Sequence, residues 1–153
     1  MSLFTSFLIA LHGLLAVIWV GGMFFAHVML RPAAQTLEPS VRLPLWSRIF
    51  ARFFPWVWAA VIILPASGYF IVATRFGGFA NLPLYINIMQ GIGIVMILLY
   101  LHIFFAPYQR LRRNVGTGDF GQAAKALGQI RQLVGINTIL GFITIFVALV
   151  GTN

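Results

Sequence analysis

Residues 3–30, LFTSFLIALHGLLAVIWVGGMFFAHVML, carry no Asp, Glu, Lys or Arg. About 20 apolar residues in a helix cross the ~30 Å of hydrocarbon in a bilayer, so this stretch spans with length to spare. It runs into Arg31-Pro32, where proline stops a regular helix from continuing smoothly. Three further stretches have the same character. Residues 53–74 end before Arg75 and the Gly77-Gly78 pair, residues 84–106 are closed by Pro107, and the last run covers 133–150. Inside lipid only helices and closed barrels satisfy every backbone N–H and C=O, and runs this long are helices. The expected fold is all-α, an integral membrane four-helix bundle forming a single domain over residues 1–153.

Composition agrees. Of the 153 residues, 61% are hydrophobic and 8% charged, whereas a soluble domain carries roughly 25% charged residues. The net charge of +8 comes from basic residues in short runs beside the apolar spans. That is the pattern of loops meeting anionic headgroups rather than of a nucleic-acid surface, so the expected partner is the lipid bilayer and no nucleic acid. There is no cysteine, which excludes disulfides and thiolate chemistry. The first span lacks a basic segment ahead of it and a small-residue cleavage site, so it is expected to be retained rather than removed as a signal peptide.

Orientation follows from the basic residues. Arg31, Arg42, Arg48 and Arg52 lie in the first connection, Arg110, Arg112, Arg113, Lys125 and Arg131 in the third, and only Arg75 in the second. By the positive-inside rule, connections one and three are cytoplasmic and both termini extracytoplasmic. Two connecting segments have a pattern of their own. Residues 46–54 mix arginine with aromatics, as suits a helix start at headgroup level. Residues 119–131 read as a short amphipathic helix with Phe120, Ala124, Leu127 and Ile130 on one side; it is either an extension of the fourth helix or a partner-binding helix.

Polar groups at membrane depth are costly unless paired or used. Three histidines, His12, His27 and His102, fall inside spans, and no acidic residue does, so a carboxylate-driven pump is not expected. At ~100° per residue, His12, Ala16, Trp19, Met23 and His27 share one stripe of the first helix, which should face the bundle interior. His27 and His102 match in depth; His12 is level with Asn87, Met89, Gln90 and Gly91. Gly21-Gly22 and Gly91-x-Gly93 are close-packing signals that also make room for a flat cofactor. Asn137, Gly141 and Thr144 form a polar stripe on the last helix, and Pro55 and Pro65 should kink the second, leaving Ser67 and Tyr69 near its outer end.

One intramembrane histidine is usually hydrogen-bonded; three, two of them aligned, point to a metal or haem. Imidazole is a common axial ligand of haem and a ligand of copper. Met23, Met29, Met89 and Met96 add thioethers suited to Cu(I), although methionine is also an ordinary membrane residue. Met23 and His27 stand four residues apart and would reach one ion together. The cytoplasmic arginines would pair with porphyrin carboxylates, or they are simply topological.

The run Leu11-His12-Gly13-Leu14-Leu15-Ala16-Val17-Ile18-Trp19-Val20-Gly21-Gly22-Met23-Phe24-Phe25, with Leu30-Arg31-Pro32 after it, resembles the opening of the copper-resistance-D family of membrane proteins. Similar features continue in Arg48-x3-Arg52-Phe53, Ser67-Gly68, His102 and Arg131 with Asn137. The same first-helix pattern is similar to that of the four-helix, oxygen-independent protoporphyrinogen oxidase of bacteria, a haem b protein whose histidine matches His12. That family's third-helix lysine is missing here, since residues 89–91 hold none and Lys125 is the sole lysine. The departure counts against porphyrinogen oxidation and leaves haem binding open. The resemblance implies a multi-pass protein of the bacterial inner (cytoplasmic) membrane. It adds Trp19, Asn137 and Arg52 to the histidines as cofactor-binding candidates, beside a metal set of His12, His27, His102 and Met23.

Three readings result. The first is haem b held by intramembrane histidines, near the outer side at His12 or near the cytoplasmic side between His27 and His102. Its chemistry would be one-electron transfer with a quinone, superoxide or porphyrin partner, and any enzyme activity that of a haem-dependent membrane oxidoreductase. The second is a copper transport or homeostasis protein passing copper along the His and Met stripe. The third is a structural bundle with hydrogen-bonded histidines. A homo-oligomer is compatible with all three, and nothing resembles a nucleotide loop or hydrolase site.

Overall fold

The computed structural model describes residues 2–152. Helix α1 (Leu3–Phe24) opens on Ser2, whose hydroxyl accepts the Thr5 N–H at 3.2 Å. It runs without a break into a π-helical segment, Phe25–Leu30, and then into the single turn α2 (Arg31–Ala34). In the wide turn the Arg31 N–H reaches back five residues to the Ala26 carbonyl. The wide turns end just before Pro32, whose ring in a regular α-helix would crowd the carbonyl of Val28. The first span therefore does not stop at Arg31-Pro32 as expected; it continues to Ala34.

Helix α3 (Pro39–Arg75) is 37 residues long and passes through Pro44, Pro55 and Pro65. It starts about fourteen residues earlier than the apolar run, so Arg42, Arg48 and Arg52 are helical and not in a loop. Gly77 and Gly78, at φ 70° and 119°, turn the chain out of it. Helix α4 (Leu84–Phe105) ends at the kinked residue Ala106, and Pro107 begins α5 (Pro107–Thr117). Gly118, at φ 75°, closes α5, and Asp119 caps α6 (Phe120–Gly151) by accepting the Gln122 N–H at 3.1 Å. The amphipathic segment 119–131 is thus the start of the fourth long helix.

Four helices, Leu3–Ala34, Pro39–Arg75, Leu84–Thr117 and Phe120–Gly151, are long and apolar enough to cross a membrane. Their outer surface is apolar: Phe7, Val17, Ile62, Leu98 and Phe146 are all more than half exposed. Such a surface is at home in lipid and not in water. The helices associate in two close pairs, α1 with α3 and α4 with α6, while α5 folds back along the start of α6. Aromatic side chains fill the wider gap between the pairs. Phe54 meets Tyr108 at 4.7 Å and Tyr100 at 5.5 Å, Trp19 meets Tyr100 at 6.3 Å, and the Tyr100 hydroxyl donates to the Phe54 carbonyl at 3.3 Å.

Small residues set the close approaches, and Gly22 of the Gly21-Gly22 pair is one of them. Gly22 lies against the Phe53 ring, and a Cβ at Gly141 would sit 2.6 Å from Val20 Cγ2 and 3.3 Å from Met96 Cε. Gly21, Gly91 and Gly93 have no such neighbour within 4 Å. Gly141→Val should therefore destabilise the bundle by about 1–3 kcal/mol through overpacking, read as a lower unfolding midpoint in detergent. Gly93→Ala should change it by no more than about 0.5 kcal/mol.

Candidate functional site

The wide turn of Phe25–Leu30 sets how His27 is presented. It packs against Gly135 of α6, where a Cβ would stand 3.0 Å from its Cε1. His27 forms part of the wall of a cavity of about 440 Å³ at the arginine-rich end, built from the π-helical segment, α2, α3 and α6. Arg31 and Gln35 contribute from one side, Arg42, Trp46 and Phe50 from α3, and Arg131 from α6. The lining includes no Asp or Glu, and Asp119 is engaged in capping α6. Arg31 Nε is buried without a hydrogen-bond partner. A buried donor on a cation lacking an acceptor is expensive.

A second cavity, of about 280 Å³, adjoins the first and shares Ala26, Phe50 and Val134 with it. Trp19 and Met23 of α1, Phe53 and Phe54 of α3, Tyr100 of α4 and Asn137 of α6 help to line it. The Asn137 amide donates through Nδ2 to the Met96 carbonyl at 3.2 Å, while its Oδ1 is buried and unpaired. Thr144, about two turns further along, donates to the Leu140 carbonyl at 2.9 Å. The Asn137, Gly141 and Thr144 stripe does face inward, towards Val20 and Met96.

His12 lies elsewhere, against α3. Its Nδ1 is 2.8 Å from Ser67 Oγ, and the same hydroxyl is 2.7 Å from the Ile63 carbonyl. A hydroxyl has one proton, and the carbonyl can only accept it. Ser67 Oγ therefore accepts from His12 Nδ1–H, and the Leu64 carbonyl is a second acceptor beside the same ring. The contact ties α1 to α3 through paired polar groups.

The expected residues thus divide into separate places. Trp19, Met23 and Asn137 meet at the apolar cavity and His27 at the polar one, so the pair Met23 and His27 does not line a common space. The π-helical turns begin between them and shift the angular register on which the i to i+4 alignment rested. His102 is on the exposed face of α4 and lines neither cavity, so depth matching with His27 did not translate into a shared site. Arg52 is likewise exposed, and the cavity takes Arg31, Arg42 and Arg131 instead. Gly91 has open space beside it, and the room next to His12 is made by Gly68 of α3. Among the described residues no three His, Cys, Asp or Glu side chains are grouped to hold a metal ion. Arg31, Arg42 and Arg131 are among the cytoplasmic arginines that the sequence offers as carboxylate partners, whereas nothing in the sequence marks Gln35, and Trp46 stands out only as part of an aromatic run.

The architecture and the apolar outer surface define a multi-pass, four-helix membrane protein. The model of the copper resistance protein D family, CopD, matches residues 47–150, more than half of the chain, and the protein belongs to that family. The match covers α4, α5 and nearly all of α6 and begins inside α3, so the first-helix motif lies outside it. No curated protein and no solved structure matches the chain.

The His12–Ser67 geometry makes a direct prediction. In 15N spectra of the neutral imidazoles, His12 should show the Nδ1–H tautomer, and Ser67→Ala should shift it towards the Nε2–H form. The same substitution should lower stability by about 1 kcal/mol, the cost of losing one part-buried interhelical hydrogen bond.

Proposed function

We propose that this CopD-family protein acts in copper resistance or homeostasis as a membrane redox protein, holding haem b at the arginine-lined cavity through His27. The observation that carries the reading is the charge of that cavity. Three guanidiniums and one imidazole line it with no carboxylate, and Arg31 Nε lacks an acceptor. At an effective dielectric constant of about 20, like charges ~8 Å apart repel by about 2 kcal/mol. A bare copper cation would meet that repulsion three times over. A porphyrin bearing two carboxylates would be attracted by the same groups.

The side chains present suit such a ligand. Neutral His27 has a ring nitrogen to offer the iron, and Arg31, Arg42 and Arg131 supply forked donors for two propionates. Trp46 and Phe50 offer flat apolar walls. When bound, haem b supplies one-electron transfer, with a potential set by burial and by the axial ligand. With His102 turned outward, His27 would serve without a second histidine from α4. By the positive-inside rule the cavity would open at the cytoplasmic face of a bacterial inner membrane.

A second reading, copper passage along the first helix, is favoured by the family's description and by Met23, a buried thioether one turn before His27. Purification in mild detergent, followed by oxidised and dithionite-reduced spectra and metal analysis of one sample, separates the two. The expected result is a Soret band, a sharp reduced α band and stoichiometric iron. His27→Ala should abolish them, and Arg31→Gln should weaken haem retention about tenfold, equivalent to ~1.4 kcal/mol. A colourless protein that takes up stoichiometric Cu(I) would establish the copper reading instead. A band that survives His27→Ala and disappears in His12→Ala would place the haem at the other end of α1 and sink the present assignment.

A further inference from the structure

Helix α4 leaves one side uncovered. Its exposed residues include Asn87, Gly91, Ile94, Leu98, His102 and Phe105, and steps of three and four residues put them on one face. The apolar members of that face suit acyl chains. Asn87 and His102 do not, and among the described residues neither side chain has a hydrogen-bond partner. Each stands three residues inside an end of α4 (Leu84–Phe105). A 22-residue helix is about 33 Å long, which matches the ~30 Å of hydrocarbon, so both polar groups fall just within its edges. Hydrocarbon offers them neither donor nor acceptor. Between them Gly91 has nothing within 4 Å of where a Cβ would stand, so another helix backbone can come close at that point.

From these features we infer that this face of α4 is the interface of a homodimer, covered by α4 of a second copy. The partner follows from symmetry. Two copies inserted with the same ends in the cytoplasm are related by a twofold axis along the membrane normal. That axis brings each residue of the stripe opposite itself at the same depth. An amide opposite an amide supplies a donor and an acceptor to both, and so does a neutral imidazole opposite a neutral imidazole. A different protein would need matching polar groups at both depths, whereas a second copy carries them already. Haem at His27 is not required for this pairing, because no residue of α4 lines the arginine-bearing cavity.

The chain has no cysteine, so single cysteines introduced into the whole protein report directly on which faces meet. In liposomes at high lipid-to-protein ratio, brief oxidation with iodine should give covalent dimers of Ile94→Cys and Leu98→Cys. Ile62→Cys on α3 and Phe146→Cys on α6, at residues that are also more than half exposed, should stay monomeric. Affinity is read from energy transfer between copies labelled at Thr117→Cys, outside the stripe, as lipid is added. Asn87→Leu and His102→Leu should each weaken the dimer about threefold and together about tenfold. Gly91→Phe should abolish transfer while the chain still folds, since nothing in the chain occupies that space. Equal cross-linking at all four positions would mean random collision and overturn the inference. Links at Ile62→Cys or Phe146→Cys alone would put the contact on another face, with the same consequence. Transfer no greater than for non-associating copies would mean that lipid alone covers α4. An unchanged affinity in the double leucine variant would also overturn the pairing. The cross-linking pattern keeps its meaning even where Gly91→Phe fails to fold.

Discussion

In a hydrocarbon solvent every backbone amide has to find its partner inside the protein, and the helices here stay continuous at the expense of regular geometry. The first span must pass Pro32 without exposing a carbonyl to lipid, and it does so by widening its turns from Phe25 to Leu30. That local solution has distant effects. It separates the angular position of His27 from that of Met23 and places the imidazole against Gly135 of α6. It also brings Arg31, on the next turn, to the wall of the same cavity. The first span's share of the polar end, His27 and Arg31, is therefore presented by the way one helix accommodates one proline.

Beside that polar end stands a space of opposite character. The larger cavity is lined by guanidiniums and an imidazole, the smaller by aromatic and aliphatic groups with a single amide. The boundary between them, at Ala26, Phe50 and Val134, runs across the bundle where α1, α3 and α6 meet. The aromatic side chains that keep α3 and α4 apart also prevent this region from closing. Tyr100 bridges them, with its ring against Trp19, Phe54 and Trp58 and its hydroxyl on the Phe54 carbonyl. A bundle packed only through small residues would have no such space.

The glycines show how packing is distributed. Gly22 and Gly141 let α1 come close to α3 and α6, at the cost of tolerating no side chain there. Gly91 and Gly93 look equivalent in sequence but leave open space where a Cβ would stand. A motif of small residues specifies that close approach is possible; which helix approaches depends on how all four are arranged.

Span number, helical class and the polarity of the two ends were legible in the chain itself, because lipid allows few solutions and the arginine distribution is lopsided. The extension of α6 back to Phe120 was legible too, from the apolar face of Phe120, Ala124, Leu127 and Ile130. The grouping of site residues was not. His12, His27 and His102 stand out by chemistry, but their depth along an axis says nothing about their bearing around it. The π-helical turn altered that bearing for His27, and the pairing of α1 with α3 and of α4 with α6 put His102 on the outside. The sequence by itself determined that this is a four-span membrane protein with polar groups at depth, since composition and run length depend only on the solvent. Tertiary structure alone decided which of those groups meet, since that depends on helix rotation and neighbour choice, which no single span encodes.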